Sequence, residues 1–338
     1  MYLVLRSTGV YFPEETVTTS DLMSQEHPHL LLKKRLLSVL GCETVHRCGQ
    51  EDTPATMAAE AACEALEAAE WGSHDVQLLM TVGCTLPDID IWSTSAKVAQ
   101  LLDVMSAECL GVGDVACAGS FTALRVLRAM LKTEKELSRA VLCAGCAMPG
   151  GRIFIPATVF GDGAGAFVVE KVKKPKRGEL FLKDVAIHSH PEYIDAFGPQ
   201  AGFKRLQEQG ELVPEDWTFA VRDQESYAAL AKVNFDLGAD VLSSCLKKAR
   251  WKPSQVTRLL SDNVTKSVGL ALAERTQIAF ENVDTEGCRL RGHAFAADMF
   301  ANLHFSIEKQ PLEPGERLVS MGMGLGQHWG AALWECAK

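Results

Sequence analysis

Short runs of Val, Ile and Leu alternate along the chain with alanine-rich stretches whose apolar residues recur at three- and four-residue steps. In the first half this pattern predicts helices over 53–67 and 93–102 and a strand over 76–82. In the second half it predicts helices over 241–249, 267–274 and 296–305, and strands at 259–260, 318–321 and 331–334. Such strand–helix–strand alternation belongs to an α/β fold, a mostly parallel sheet covered by helices on both faces. The pattern stops at Lys173-Lys174-Pro175-Lys176-Arg177-Gly178, where charge, proline and glycine cluster, and an irregular polar stretch follows. The chain therefore divides into a first half over 1–172, a linker or insertion over 173–225 with 190–225 as a lid, and a second half over 226–338. A chain of 338 residues is long enough for two packed halves.

One turn carries chemistry. Gly113 and Asp114 precede Val115-Ala116-Cys117-Ala118-Gly119-Ser120-Phe121, after which Phe121, Leu124, Leu127 and Leu131 read as the buried face of a helix. A thiol at a helix start faces unpaired N–H groups and the positive end of the macrodipole, both of which favour its thiolate. Cys117 is thus the candidate nucleophile, although a cysteine before Ala-Gly is by itself more often a small buried hydrophobe. Cys143-Ala144-Gly145-Cys146 has the spacing of half a metal site, but no second pair stands out, and the two thiols read as structural.

Three segments share a pattern with known proteins. The Cys117 turn, the run from Arg152 to Phe160-Gly161-Asp162-Gly163-Ala164-Gly165-Ala166, and Met321-Gly322-Met323-Gly324-Leu325-Gly326-Gln327-His328-Trp329-Gly330 together resemble the ketoacyl-ACP synthase III group of the thiolase superfamily. The resemblance extends from Gly9-Val10-Tyr11-Phe12-Pro13 to the last strand and is weakest over 172–235. It implies a thiolase fold, with two duplicated βαβ-type halves stacked in five αβαβα layers. It also implies a homodimer in which an aromatic residue at the position of Trp92 enters the neighbouring site, although Trp92 reads equally as a core anchor. An oxyanion hole from the Cys117 and Gly326 amides follows from the same likeness, with Trp92, Phe160, Asn263 and Thr265 around the substrate.

The second half departs from the family pattern. Members that condense malonyl-ACP carry His in Pro-His-Gln-Ala-Asn and Asn in Gly-Asn-Thr-Ser; here the matching stretches are Ser261-Asp262-Asn263-Val264-Thr265 and Gly292-His293-Ala294-Phe295. An anionic Asp262 would repel a malonyl carboxylate and has no proton to give an enolate. An imidazole beside an acylated cysteine instead takes a proton from an attacking hydroxyl or amine, and a carboxylate orients it. The expected triad is Cys117, His293 and Asp262, as in the acyltransferase branch of these enzymes. Asp298 is a competing orienter and His328 a competing base, while Asp262 also reads as an N-cap for the helix beginning near Thr265.

Donor and partners are less defined. The tryptophan that stacks on the adenine of CoA in typical relatives is absent from Arg35-Leu36-Leu37-Ser38-Val39-Leu40-Gly41-Cys42, so the donor is either acyl-CoA or an acyl carrier protein, with no other cofactor. A net charge of −9 argues against nucleic acid, and the basic cluster at 173–177 is a solvated linker or a docking surface for an acidic carrier. Eleven cysteines without a paired framework, and an N-terminal apolar run too short for a signal peptide, point to a reducing cytoplasm. No apolar run is long enough for a membrane anchor. The expectation is a ping-pong acyltransferase of specialised, polyketide-type metabolism acting on a small alcohol or amine. A carbon–carbon condensing synthase and a non-catalytic partner subunit are the alternatives.

Overall fold

The computed structural model describes residues 1–31, 33–89, 91–155, 157–200, 209, 211 and 213–338. Its main sheet is built from β1 (Tyr2–Tyr11), β2 (Leu78–Val82), β3 (Glu108–Val112), β4 (Arg139–Cys146), β5 (Gly163–Val172), β6 (Leu180–Ser189), β7 (Arg258–Ser261), β8 (Val283–Asp284), β9 (Arg317–Gly324) and β10 (His328–Cys336). The strand order is β8-β7-β9-β10-β6-β1-β5-β4-β2-β3. Read outward from its middle, each half has the same order: first, fifth, fourth, second and third strand. The duplication that residue comparison does not reveal is therefore explicit in the topology. The two halves are joined through a short antiparallel pairing, Leu3↔Leu182, Val4↔Phe181 and Leu5↔Leu180.

Six helices complete the layers: α1 (Pro54–Ala68), α2 (Thr94–Leu101), α3 (Gly119–Thr133), α4 (Gln224–Ala249), α5 (Lys266–Thr276) and α6 (Asp298–Lys309). The alanine face of α1 packs with Val98 and Ala99 of α2 on Val141, Cys143, Ala166 and Val168, covering the outside of the first half. Val241, Leu242 and Cys245 of α4, with Val268 and Leu272 of α5, cover the second half in the same way. Phe121, Leu124 and Leu127 of α3 and Phe300 and Leu303 of α6 share one core with residues of both halves, which makes the central helical layer of five.

Local sequence explains the element boundaries. Thr53 caps α1 by accepting from the Thr56 N–H, Thr56 returns the bond, and Pro54 occupies the first turn, where its missing N–H costs nothing. Asp223 caps α4, accepting from the Ser226 N–H at 2.6 Å.

The segment 173–225 departs from the expected linker. Its residues Leu180–Ser189 form β6, a central strand paired with β1 and β10. The charged Lys183-Asp184 pair masks this strand in the sequence. Asp184 is nevertheless buried, accepting from Arg128 of α3 at 2.7 Å and Lys248 of α4 at 3.1 Å. The remainder includes an antiparallel pair of short strands, Phe197–Pro199 with Phe219–Val221, while residues 201–208, 210 and 212 of the expected lid lie outside the described residues. Helix α4 begins at Gln224, well before the predicted 241.

Asp162 supplies a physical reason for the Phe-Gly-Asp-Gly motif. It accepts two bonds from the Arg152 guanidinium, at 2.9 and 2.7 Å, and the N–H groups of Met148 and Cys48, each at 2.8 Å. Both members of the pair are buried, so removing one leaves an unpaired charge in the interior. Arg152→Met is expected to lower unfolding free energy by about 3 kcal/mol or more. Urea titration against the parent checks this; a loss within ordinary surface-mutation scatter would show the pair to be dispensable.

Candidate active site

The two central helices begin in the same way. Each follows a single 3₁₀ turn, Ala116–Ala118 before α3 and Phe295–Ala297 before α6, and each turn opens on a residue with positive φ: 45° at Ala116 and 53° at Phe295. Left-handed backbone at a residue with a Cβ is strained, and the packing around it must hold it there. The turns hold each other, since Ser120 donates from Oγ to the Ala296 carbonyl at 2.6 Å in a fully buried contact. The glycines of the C-terminal strands complete the seat. The Phe121 ring lies against the cross-strand pair Gly322 and Gly330, where any Cβ would collide with it. A Cβ at Gly324 would come within 2.4 Å of the Val115 carbonyl oxygen and 2.8 Å of the Ala118 nitrogen.

This seat brings Cys117 and His293 together. The Cys117 Sγ lies 3.2 Å from His293 Nε2, and His293 Nδ1 lies 2.6 Å from Asp298 Oδ2. A carboxylate accepts, so Nδ1 carries the ring proton and Nε2 presents its lone pair to the thiol. Backbone bonds from the His293 N–H to the Val159 carbonyl at 2.8 Å and from the Gly161 N–H to the His293 carbonyl at 3.1 Å fix the histidine against the Phe-Gly-Asp-Gly segment.

The carboxylate bonded to His293 is Asp298, not the expected Asp262. Asp298 also accepts from the Asn263 N–H at 2.7 Å, the Asn263 Nδ2 at 3.2 Å and the Ala294 N–H at 2.8 Å. Sitting on the first turn of α6, it suits the positive helix end as well. Among the described residues no hydrogen bond joins Asp262 to His293. Asp262 takes one bond, from the Met323 N–H to Oδ2 at 2.7 Å, and its Oδ1 is buried without a partner. Nor does Asp262 cap α5, whose N-cap position is Thr265.

The other expected site residues lie as follows. Asn263 is a buried brace: its Oδ1 accepts from Asn302 Nδ2 at 3.0 Å while its own donors serve Asp298. Thr265 is buried and bonded to Ser267 at 2.6 Å. Phe160 is buried in an aromatic cluster, stacked on Phe295 at 4.9 Å and against Phe219 of the short strand pair at 4.6 Å, with the His293 ring 5.9 Å away. Trp92 is partly exposed, with Lys97 over its ring, and lines a surface groove with Met105 and Cys109 rather than this chain's own site. At the glycine loop, Gly324 touches the nucleophile turn, whereas Gly326 faces the His328 ring. His328 itself is bonded through Nδ1 to Ser189 at 2.8 Å.

The electrostatics correct a second expectation, that the helix start alone favours the thiolate. A hydrogen bond with Cys84 lowers the Cys117 pKa, but burial and the nearby Asp262 and Asp298 carboxyls outweigh it and hold the thiol above its ordinary value. Burial alone would depress His293; the charge and hydrogen bond of Asp298 overcome this and raise it. Proton transfer from Cys117 to His293 is thus supported by the carboxylate behind the ring, more than by the dipole in front of the thiol.

Cys143 and Cys146 do not form a pair. They lie on opposite faces of β4, Cys143 in the outer core of the first half and Cys146 in the central one. Among the described residues no cluster of His, Cys, Asp or Glu is arranged to hold a metal ion, and no helix is long and apolar enough to cross a membrane.

The profile of 3-oxoacyl-[acyl-carrier-protein] synthase III matches residues 114–189, and that of its C-terminal domain matches residues 246–336. A β-ketoacyl-[acyl-carrier-protein] synthase III of Aquifex aeolicus is 27% identical over 96% of this chain and 97% of its own length. Among solved structures, ChlB3, named an acyltransferase, superimposes with a TM-score of 0.84 at 21% identity, covering 100% of this chain and 98% of that one. The priming β-ketosynthase of the R1128 polyketide pathway superimposes with a TM-score of 0.81 at 16% identity, covering 99% and 97%. The chain is a ketoacyl-ACP synthase III-like protein with the thiolase fold. As such it is an acyl-transferring enzyme of the thiolase superfamily.

Burial and the neighbouring Asp298 push the Asp262 carboxyl up to about 7, against the lowering effects of His293 and the Met323 N–H. A carboxyl whose folded pKa is raised contributes most below its unfolded value, and that contribution is lost as pH rises towards the folded value. Between about pH 4 and pH 8, the wild type is therefore expected to lose up to about 4 kcal/mol relative to Asp262→Asn. Denaturant midpoints of both proteins across that range check it. A gap independent of pH would show that Asp262 ionises normally.

Proposed function

We propose that the protein is a ping-pong acyltransferase. Cys117 attacks the thioester of an acyl-CoA or acyl carrier protein, passing its proton to His293 Nε2, and the departing pantetheine thiol leaves protonated. The amides of Cys117 and Gly326 hold the tetrahedral oxyanion. His293 then takes the proton of an alcohol or amine acceptor, which attacks the Cys117 thioester and leaves carrying the acyl group. Asp298 keeps the imidazole in its Nδ1–H form and stabilises it when charged. The aromatic cluster of Phe154, Phe160, Phe197, Phe219 and Phe295, which reaches the His293 ring through Phe160 and Phe295, is the proposed lining of the acyl site. Specialised metabolism of polyketide type and a cytoplasmic location belong to the same reading.

The observation that carries it is the relay Cys117 Sγ–His293 Nε2 and His293 Nδ1–Asp298 Oδ2, at 3.2 and 2.6 Å. It is an arrangement for moving a proton to and from an attacking heteroatom. Condensation is the second reading, and Asp262 favours it. With a pKa near 7 the carboxyl is partly protonated at neutral pH, so the sequence-based objection that it has no proton to give is weakened. A decarboxylation assay separates the two readings. With malonyl carrier protein and an acyl primer, transfer predicts no carbon dioxide above background, whereas carbon dioxide with a β-ketoacyl product establishes condensation. With a heteroatom acceptor, Asp298→Asn should slow turnover by about a hundredfold or more. His293→Ala should slow transfer more than acylation of Cys117, as read by rapid-quench mass spectrometry. If Asp298→Asn leaves turnover intact, the relay is not the catalytic one.

A homodimer belongs to the same proposal. Strand β3 is a free edge of the sheet, and Ile89, Ile91, Trp92, Leu101 and Met105 are exposed apolar residues close to it in sequence. Unpaired strand edges with apolar flanks favour pairing with a second copy. Light scattering at micromolar concentration should give twice the chain mass, and Ile91→Asp with Met105→Asp should return it to a monomer; a monomeric parent would remove this element.

A further inference from the structure

Two thiols that the transfer chemistry does not use stand beside the nucleophile. Cys84 follows β2 and Cys146 ends β4, and their sulfurs are 3.5 Å apart. Strands β2 and β4 are parallel neighbours in the register Thr81↔Cys143, so three residues further on the register opposes Cys84 to Cys146. Neighbouring strands lie about 4.8 Å apart, within the Cα separation that a disulfide spans. Cys84 is also close enough to Cys117 for the two thiols to shift each other's pKa. The Ala296 N–H donates to the Cys84 sulfur at 3.4 Å, placing it at the meeting point of the two helix-start turns. Cys117 and Cys84 are partly accessible, and Cys146 is fully buried behind them. The three thiols thus gather where the helix-start turns meet the end of β4, two of them partly accessible and one buried. All eleven cysteines are free, so each thiol is available in the reduced protein.

We infer that Cys117, Cys84 and Cys146 form a peroxide-oxidation site, with Cys84 resolving oxidised Cys117 and Cys146 accepting the disulfide. His293 serves Cys117 as base, as it does in acylation. The Cys117 thiolate attacks the distal oxygen of a hydroperoxide; the O–O bond breaks, the sulfur becomes a sulfenic acid, and the peroxide leaves as water or an alcohol. The Cys84 thiol attacks that sulfur, forming the Cys84–Cys117 disulfide and releasing water. Attack by the Cys146 thiol on the Cys84 sulfur then transfers the disulfide to Cys84–Cys146 and returns Cys117 as a free thiol. An external dithiol reduces the last disulfide. Sulfenic acid left without a partner proceeds to the sulfinic and sulfonic states, which thiols do not reverse. The arrangement thus preserves a nucleophile that must stay reduced to carry an acyl group.

The test treats the reduced full-length protein with equimolar hydrogen peroxide, alkylates free thiols and maps disulfides by peptide mass spectrometry. Alkylation of Cys117 is the functional readout, so the result does not depend on which acyl chemistry the enzyme performs. The parent should yield a Cys84–Cys146 disulfide, an intact mass lower by two hydrogens, and Cys117 that still alkylates. Cys146→Ser should stop at Cys84–Cys117, with Cys117 alkylation lost and then restored by dithiothreitol. Cys84→Ser should form neither disulfide and should accumulate Cys117 sulfinic acid that dithiothreitol does not reverse. The inference is overturned if the parent forms no disulfide among the three residues, or if Cys84→Ser protects Cys117 as well as the parent does. The parent's own disulfide map decides the matter even if a variant fails to fold.

Discussion

The site depends on one buried carboxylate. Asp298 accepts from His293, from the Ala294 and Asn263 backbone amides and from the Asn263 side chain, and it sits at the start of α6. An isolated carboxylate in a protein interior costs several kcal/mol, and this set of donors, three from neutral amides and one from an imidazole, offsets that cost. The same bonds fix three pieces of chain relative to one another: the loop after β7, the strained turn before α6, and the helix itself. The distance between His293 and Cys117 follows from that clamp. Asn302 extends it by holding Asn263 and by donating to the Ser261 carbonyl at 2.8 Å.

Duplication explains why such a clamp faces a thiol. Both halves use the same strand order, and both place a 3₁₀ turn with positive φ ahead of a central helix. A fold that repeats this unit brings two strained helix starts together at the centre of the molecule, and the two can then specialise. The first carries Cys117, the proposed nucleophile. In the second, the first helical residue, Asp298, holds His293, which lies just ahead of the turn. The Ser120–Ala296 bond and the glycines beneath Phe121 keep the two starts at working distance, so catalytic geometry and the packing of the central layer share a cause.

Much of this was legible in the sequence because it rests on local signals. The Thr53 and Ser93 caps sit at the starts of their helices, the apolar face after Cys117 marks α3, and the alternating glycines mark the last strand pair. Strand β6 was hidden because its centre carries Lys183 and Asp184, and only tertiary partners, Arg128 and Lys248, make a charged residue compatible with a buried strand. The partner of His293 was misassigned for a related reason. Motif position placed Asp262 in the pocket, but the bond to His293 goes to Asp298, which lies five residues after it and returns to it through the 3₁₀ turn. That short i,i+5 spacing was the available signal. The thiol cluster was not legible at all, since Cys84, Cys117 and Cys146 meet only through the pairing of β2 with β4 and the seating of α3.

Asp262 is the half-satisfied carboxyl beside the Cys117–His293 pair. One oxygen is held by the Met323 N–H of the glycine-rich strand, and the other is buried with no partner, close enough for its charge to be felt by both Cys117 and His293. A buried, half-satisfied carboxyl is costly unless it is protonated or meets a substrate group. In the anionic state such a carboxyl can only accept hydrogen bonds and repels another carboxylate; in the neutral state it can also donate one. Burial, with Asp298 beside it, pushes the carboxyl up to about 7. A substrate group that supplies the missing hydrogen bond would therefore favour one protonation state over the other, and the proposed transfer chemistry rests on the one that accepts.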